Sequence, residues 1–292
     1  MATLLIEGLK GAEGPVWMPD DGSLVLTEGG AGRLTRIAPD GTASTYAATG
    51  GSPNGAAMGP DRKLFVTNSG GKCIQVVHPD RTVEVLYDNC EGEPFNGPND
   101  LTFDEHGGFY FTDPGHVTRE GVQFGRLYYG LADGSLVKRT QHIFIFPNGL
   151  ALTRGGTSLV VLESITGRVW SIPVESPGTL AWADAGARAG APRRGGGLPG
   201  DTLLTVVPKA GLPDGMCIDE AGNLLICAAN SGFVSVHAPD GTPITLLDAG
   251  DPRPTNICFG GPNGRTLYIT GLGEGRVTTI EWERGGLPLP NY

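Results

Sequence analysis

The sequence contains no apolar run long enough to cross a membrane. Its first ten residues, Met1 to Lys10, lack the basic stretch, apolar core and small-residue cleavage site of a secretory leader. These two absences predict a cytoplasmic protein with no membrane partner. Basic residues are scarce: 21 Lys and Arg stand against 31 Asp and Glu, a net charge of −10. A nucleic-acid partner needs a basic face, so none is expected. Sustained 3.6-residue periodicity is missing, which leaves little room for helices. The five cysteines, Cys73, Cys90, Cys217, Cys227 and Cys258, include no Cys-x-x-Cys pair. Reduced and mostly buried thiols are expected, not a disulfide framework. No Gly-x-Ser-x-Gly elbow occurs, which argues against a serine esterase.

What is abundant is turn chemistry. The 48 glycines and 23 prolines fall between short apolar runs, so they read as turns joining many short strands. One pattern recurs: Glu13-Gly-Pro-Val-Trp, Pro53-Asn-Gly-Ala-Ala, Pro98-Asn-Asp-Leu-Thr, Pro147-Asn-Gly-Leu-Ala, Pro213-Asp-Gly-Met-Cys and Pro254-Thr-Asn-Ile-Cys. The copies lie about 40 to 65 residues apart, room for four strands each, and six such units predict an all-β, six-bladed propeller. Residues 1–292 are read as one such domain. In the third unit the strands are expected at Leu101–Phe103, Phe109–Thr112, Arg126–Leu131 and Leu136–Ile145. The last unit offers only three strands, and the N-terminal run Thr3-Leu-Leu-Ile-Glu is left over. A closed ring must hide its edges, so that run is predicted to supply the missing outer strand. The tail Glu283 to Tyr292 is expected loose or packed on the surface. The Ala-, Gly-, Arg- and Pro-rich run Ala185 to Gly200 reads as a flexible excursion without chemistry.

Antiparallel alternation places the repeat's turn residue of every blade at the top of the central channel. Those residues are Glu13, Asn54, Asn99, Asn148, Asp214 and Thr255, with Asn256 next to it. Two carboxylates aimed at one axis repel unless a positive charge lies between them. With amide oxygens beside them they form an all-oxygen set, suited to calcium, magnesium or manganese better than to structural zinc. Asn and Asp beside Pro or Gly are also ordinary turn formers; their shared register across five units favours a functional ring. The second-to-third loops bring Glu28, Asn68, Asp113, His116, Glu163, Asn230 and Glu274 to the same face, either lining the mouth or simply solvated. His78, His106, His142 and His237 fall on strands or bottom turns and read as structural.

In this order, Glu13-Gly-Pro-Val-Trp17, Asn96-Gly-Pro-Asn-Asp100, Phe111-Thr-Asp-Pro114, Pro147-Asn-Gly-Leu150, Pro213-Asp-Gly-Met216 and the run Pro254 to Thr270 resemble the gluconolactonase/regucalcin (senescence marker protein) family. The resemblance covers nearly the whole chain. It implies a propeller with one catalytic divalent cation held by Glu13, Asn148 and Asp214, with Asn99 on the metal or the substrate. Asn96, Asn99, Asp100 and His116 are the expected substrate contacts, Asp214 the expected base and Glu13 its alternative. The implied activity is hydrolysis of a small sugar lactone or related cyclic ester. Calcium is the first choice of cation, with zinc, manganese, magnesium and iron as alternatives, and the expected state is a monomer or weak homo-oligomer. Departures from the family pattern bear on the substrate. Pro94-Phe95 stands where members often carry a basic residue, Leu224 to Asn230 lacks the usual aromatics, and the loop Gly115 to Gly125 is individual. Two rivals remain: a phosphotriesterase of the diisopropyl-fluorophosphatase type, and a non-catalytic propeller scaffold.

Overall fold

A computed structural model describes residues 1–181, 202–207 and 211–291. The run Ala185 to Gly200 lies outside the described residues. Six antiparallel sheets of four principal strands follow one another along the chain. The innermost strands are Ala12–Met18, Pro53–Met58, Leu101–Phe103, Pro147–Leu152, Pro213–Ile218 and Pro254–Gly260. Each touches its neighbours in cyclic order, and the sixth touches the first, so the sheets form a closed ring. The architecture is the six-bladed propeller expected from the repeat.

The third blade runs Leu101–Phe103, Gly108–Asp113, Gly125–Leu131 and Val137–Phe144 from axis to rim, within a residue or two of the sequence expectation. The fourth blade takes Thr202–Val206 as its outer strand and adds a short pairing at Thr179–Leu180. The sixth blade is assembled from both ends of the chain. Thr3–Ile6 pairs antiparallel with Val277–Glu281, with Thr3 opposite Thr279 and Leu4 opposite Thr278. The N-terminal run therefore closes the ring by covering an otherwise open edge.

Second strands are sandwiched between neighbouring blades, and their sequences show it. Leu64–Asn68 and Leu224–Ala228 are buried at every position, as near-continuous apolar or small residues permit. The outer strand Pro243–Asp248 is exposed at most positions. Apolar clusters fill the wedges between blades. Between the second and third, Phe65 meets Phe103 edge-on at 4.9 Å and Phe109 at 5.5 Å. Hydroxyls lash blades together near the axis: Thr27, Thr67 and Thr112 donate to the carbonyls of Asn54, Asn99 and Asn148 in the next blade. Each such bond contributes on the order of 1 kcal/mol, and together they fix the backbone that carries the axial ring.

Among the described residues the only helices are three single 3₁₀ turns, and none is long and apolar enough to cross a membrane. The tail is ordered against the blades. Of the two alternatives it takes the packed one, and it lies across the bottom of the channel: Glu220 N–H donates to Gly285 O, Leu287 N–H to Ile218 O, and the Asn291 amide to Met58 O. Within its Leu-Pro-Leu-Pro run, Leu287 packs partly buried against the cluster between the fourth and fifth blades, while Leu289 stays exposed.

Candidate active site at the top of the channel

The axial residues owe their position to a local irregularity. In five blades the register between the first and second strands shifts at or just after the axial residue, between Glu13 and Val16, Pro53 and Ala56, Pro147 and Leu150, Pro213 and Met216, and Pro254 and Asn256. Such bulges re-aim a side chain out of the regular alternation. In the third blade the regular pairing begins at Leu101, and Asn99 N–H reaches Thr112 O at 2.8 Å.

The residue after each axial position decides how near the innermost strands come. It is glycine in four blades: Gly14, Gly55, Gly149 and Gly215. A Cβ on Gly149 would lie 2.2 Å from Asp214 O, and one on Gly215 would lie 2.2 Å from Asn256 Cγ. In the third and sixth blades, opposite each other in the ring, this register holds Asp100 and Asn256. Asp100 Oδ1 accepts Leu101 N–H and Asn256 Oδ1 accepts Ile257 N–H, and Asn256 Nδ2 donates to Asp100 Oδ2 at 3.3 Å. The pair spans the axis beneath the axial ring.

Three acids thus share one small volume. Burial, followed by the charges of Asp214 and Asp100, pushes the Glu13 carboxyl well above the carboxylate range, while the Gly14 N–H and Thr255 hydroxyl pull it down. Burial raises Asp100 to about 7 against the pull of Leu101 N–H and the Asn256 amide. Asp214 is also raised to about 7 by burial, opposed by a bond from the Asn148 side chain, raised further by Asp100 and lowered by Arg253. Glu13 is nearly closed off and Asp214 only half-buried, so Asp214 is the more open to water. The nearby Cys227 thiol is held well above its ordinary pKa, by burial first and by the acids next, so it stays protonated.

The predicted site residues divide by place. Glu13, Asp100, Asn148 and Asp214 are brought together at the axis. Asn54 and Asn99 are half-buried in the same register, and their carbonyls accept the inter-blade threonines. Asn96 and His116 lie at the rim. The Asn96 carbonyl oxygen accepts Gln123 Nε2 at 3.3 Å, and His116 is exposed on a short hairpin, His116–Val117 paired with Val122–Gln123.

The loop residues Glu28, Asn68, Asp113 and Glu163 neither line the mouth nor face solvent. All are buried, and each accepts a backbone N–H from the segment leading into an axial residue: Lys10, Ser52, Asn96 and Ile145 respectively, at 2.7–2.9 Å. They are buttresses of the ring, whereas Asn230 and Glu274 are exposed. Sequence reasoning passed over Arg253 and the Asp100–Asn256 contact. The contact's one trace in the sequence is a polar residue replacing the repeat glycine in two units three apart.

Among the described residues no three Asp, Glu, His or Cys side chains form a ligand cluster. A cation at the axis would therefore rely on Glu13 and Asp214 together with amide oxygens. That donor set, two carboxylates and the Asn148 and Asn99 carbonyls, fits a hard divalent ion. A cavity of about 230 Å³ lies elsewhere, in the lower channel, roofed by Asp100 and Asn256 and floored by Leu287 to Pro290. Its walls, including Met58, Phe103, Leu150 and Ile218, are largely apolar.

Residues 11–273 match the SMP-30/gluconolactonase/LRE-like region. The chain belongs to the SMP-30/gluconolactonase/LRE-like family. It is 30% identical to a gluconolactonase of Zymomonas mobilis over 91% of this chain and 78% of that protein. It is 29% identical to diisopropyl-fluorophosphatase of Loligo vulgaris over 97% of this chain and 93% of the relative. The fold matches a regucalcin from Agrobacterium tumefaciens, described as a calcium-binding protein, with a TM-score of 0.79, 17% identity and coverage of 100% and 97%. Lactonases recur among the relatives, so this SMP-30/gluconolactonase/LRE-like chain is a lactonase-family hydrolase.

Proposed function

We propose that the chain is a divalent-cation-dependent lactonase that opens a sugar lactone or related cyclic ester, with residues 1–292 forming one propeller domain. The observation that carries this reading is the convergence of Glu13, Asp214 and the Asn148 amide at the channel top, where burial first and neighbouring acids next raise the pKa of both carboxyls. Glu13, Asn148, Asp214 and Asn99 would hold the cation, with calcium first in view of the calcium-binding relative. When bound, the cation supplies positive charge that polarises the lactone carbonyl.

Everything else falls to the chain's own side chains. Asp214, the more open acid, accepts the proton of the attacking water. Glu13, deeper and touched by the Thr255 hydroxyl, would carry its negative charge with the cation bound, since burial and the neighbouring acids otherwise favour its protonated form. Asn99 orients the substrate, with Asn96 and His116 reaching it from the rim. Asp100, tied to Asn256, keeps the floor beneath the reacting centre closed.

The test is lactone hydrolysis by dialysed protein with and without added Ca²⁺, Mn²⁺, Mg²⁺, Zn²⁺ or Fe²⁺, against buffer holding the same cation. Glu13→Gln and Asp214→Asn should remove turnover while leaving the folded signal in place. A rate no higher than the blank on aldonolactones and simple aromatic lactones overturns the reading. The squid relative favours one alternative, a phosphotriesterase, so an activated phosphotriester belongs in the same assay.

A further inference from the structure

Two residues before each axial position the chain forms an upper ring: Gly11, Ser52, Gly97, Phe146, Leu212 and Arg253. Arg253 is its one charged member. The residue is exposed and, among the described residues, its guanidinium forms no ion pair. The acids beside it are already engaged. Asp251, buried, accepts the backbone N–H groups of Arg253 at 2.8 Å, Gly273 at 2.9 Å and Glu274 at 3.0 Å. Glu274 pairs with Arg276. The backbone under Arg253 is pinned on both sides, since Leu272 N–H donates to Arg253 O at 2.9 Å.

The rest of the upper ring is uneven. Phe146 and Leu212, on the adjacent fourth and fifth blades, are partly exposed and pack into none of the six apolar clusters. Phe146 also sits at φ 58°, a strained setting for a bulky residue of the kind that concentrates at functional sites. Gly11, Ser52 and Gly97 leave the opposite side low.

We propose that Arg253 is the anion-binding residue of the channel mouth and that the substrate is a carboxylated lactone, its ring lying against Phe146 and Leu212. This rests on the lactonase reading for the reacting group alone; recognition of the anion does not need turnover. An unpaired guanidinium in the same upper ring as two partly exposed apolar residues fits a carboxylate on a compact ring, since it presents several donors in a planar fork.

The experiment compares 5-oxotetrahydrofuran-2-carboxylate with its uncharged carboxamide, using cation-loaded protein. The kcat/KM ratio should favour the carboxylate by about tenfold or more, the scale of a charge-assisted contact. Arg253→Gln should bring the ratio close to one, and Arg253→Lys should keep part of it. A ratio near one in the unmodified protein, or one that survives in Arg253→Gln, overturns the proposal. A second arm uses tetrahydrofuran-2-carboxylate, which has no bond to hydrolyse, and measures binding by calorimetry. Its affinity should fall about tenfold in Arg253→Gln, and an unchanged affinity overturns the proposal. Should neither lactone open, the lactonase reading fails while the calorimetric arm still decides the role of Arg253.

Discussion

Asn256 Nδ2 donates to Asp100 Oδ2 at 3.3 Å, joining residues 156 apart in sequence and from opposite blades of the ring. The contact exists because the other four blades carry glycine at this register and leave the axis free. It separates an acidic upper mouth from an apolar lower chamber, and the amide keeps the buried Asp100 carboxyl from standing alone.

Asn256→Asp would set a second carboxylate against Asp100. Two buried acids in contact cannot both ionise cheaply, so their folded pKa values would rise further. A raised folded pKa gives stability that is present at low pH and lost as pH climbs through it. The melting temperature of Asn256→Asp should therefore fall further below the parent at pH 8 than at pH 5. An equal deficit at both would show that the two side chains do not interact.

Gly149→Ala and Gly215→Ala would drive a Cβ to within 2.2 Å of Asp214 O and Asn256 Cγ. Each should destabilise by about 1–3 kcal/mol in urea unfolding, the range for overpacked sites. Gly121→Ala, with no heavy atom within 4 Å, should stay within about 0.5 kcal/mol of the parent. Parity between the axial and loop substitutions would mean that the innermost strands are not closely apposed.

Deleting residues 1–7 removes Thr3–Ile6 from the sixth blade and bares the edge of Val277–Glu281. It also withdraws Leu5 and Ile6 from the cluster between the sixth and first blades. The truncated protein should melt lower and aggregate, because an open strand edge is a template for further pairing. Unchanged melting and light scattering would show that closure does not depend on this strand.

Cation affinity should depend on pH through the axial acids. Without a cation Asp100 and Asp214 titrate near 7 and Glu13 lies well above the carboxylate range. A bound cation needs Glu13 and Asp214 ionised, so protons compete with it. Calcium affinity, followed by calorimetry, should weaken as pH falls from 8 to 6. The cation-free protein, whose raised carboxyls favour the protonated folded state, should gain stability over the same range relative to the calcium-loaded form. A calcium affinity that does not change between pH 6 and 8 would remove the axial acids from the binding site.

Much of this architecture was readable before any coordinates. Propeller blades are built from nearest-neighbour hairpins, and hairpins announce themselves through Asp-Gly turns and alternating apolar residues, as at Ala132-Asp-Gly-Ser. That the repeat's turn residues open the innermost strands at the top of the channel followed from the antiparallel order of strands within a blade, whereas the bulges that aim them at the axis did not. Closure by Thr3–Ile6 was likewise a matter of counting strands.

Tertiary structure alone decided which polar residues on the top face serve the fold and which face the axis. Glu28, Asn68, Asp113 and Glu163 lie at the right height for a pocket, but each turns to a backbone N–H in the segment entering its own blade's axial strand. That choice depends on where an unpaired donor happens to point, which no local pattern encodes. The tail's path across the channel floor, the Asp100–Asn256 bond and the free guanidinium of Arg253 share this origin. The sequence by itself determined the strands, their order and the ring of residues at the axis, because those rest on short-range periodicity and turn chemistry. Which side chains meet across that ring was settled only by closing it, because contacts between opposite blades depend on the geometry of all six.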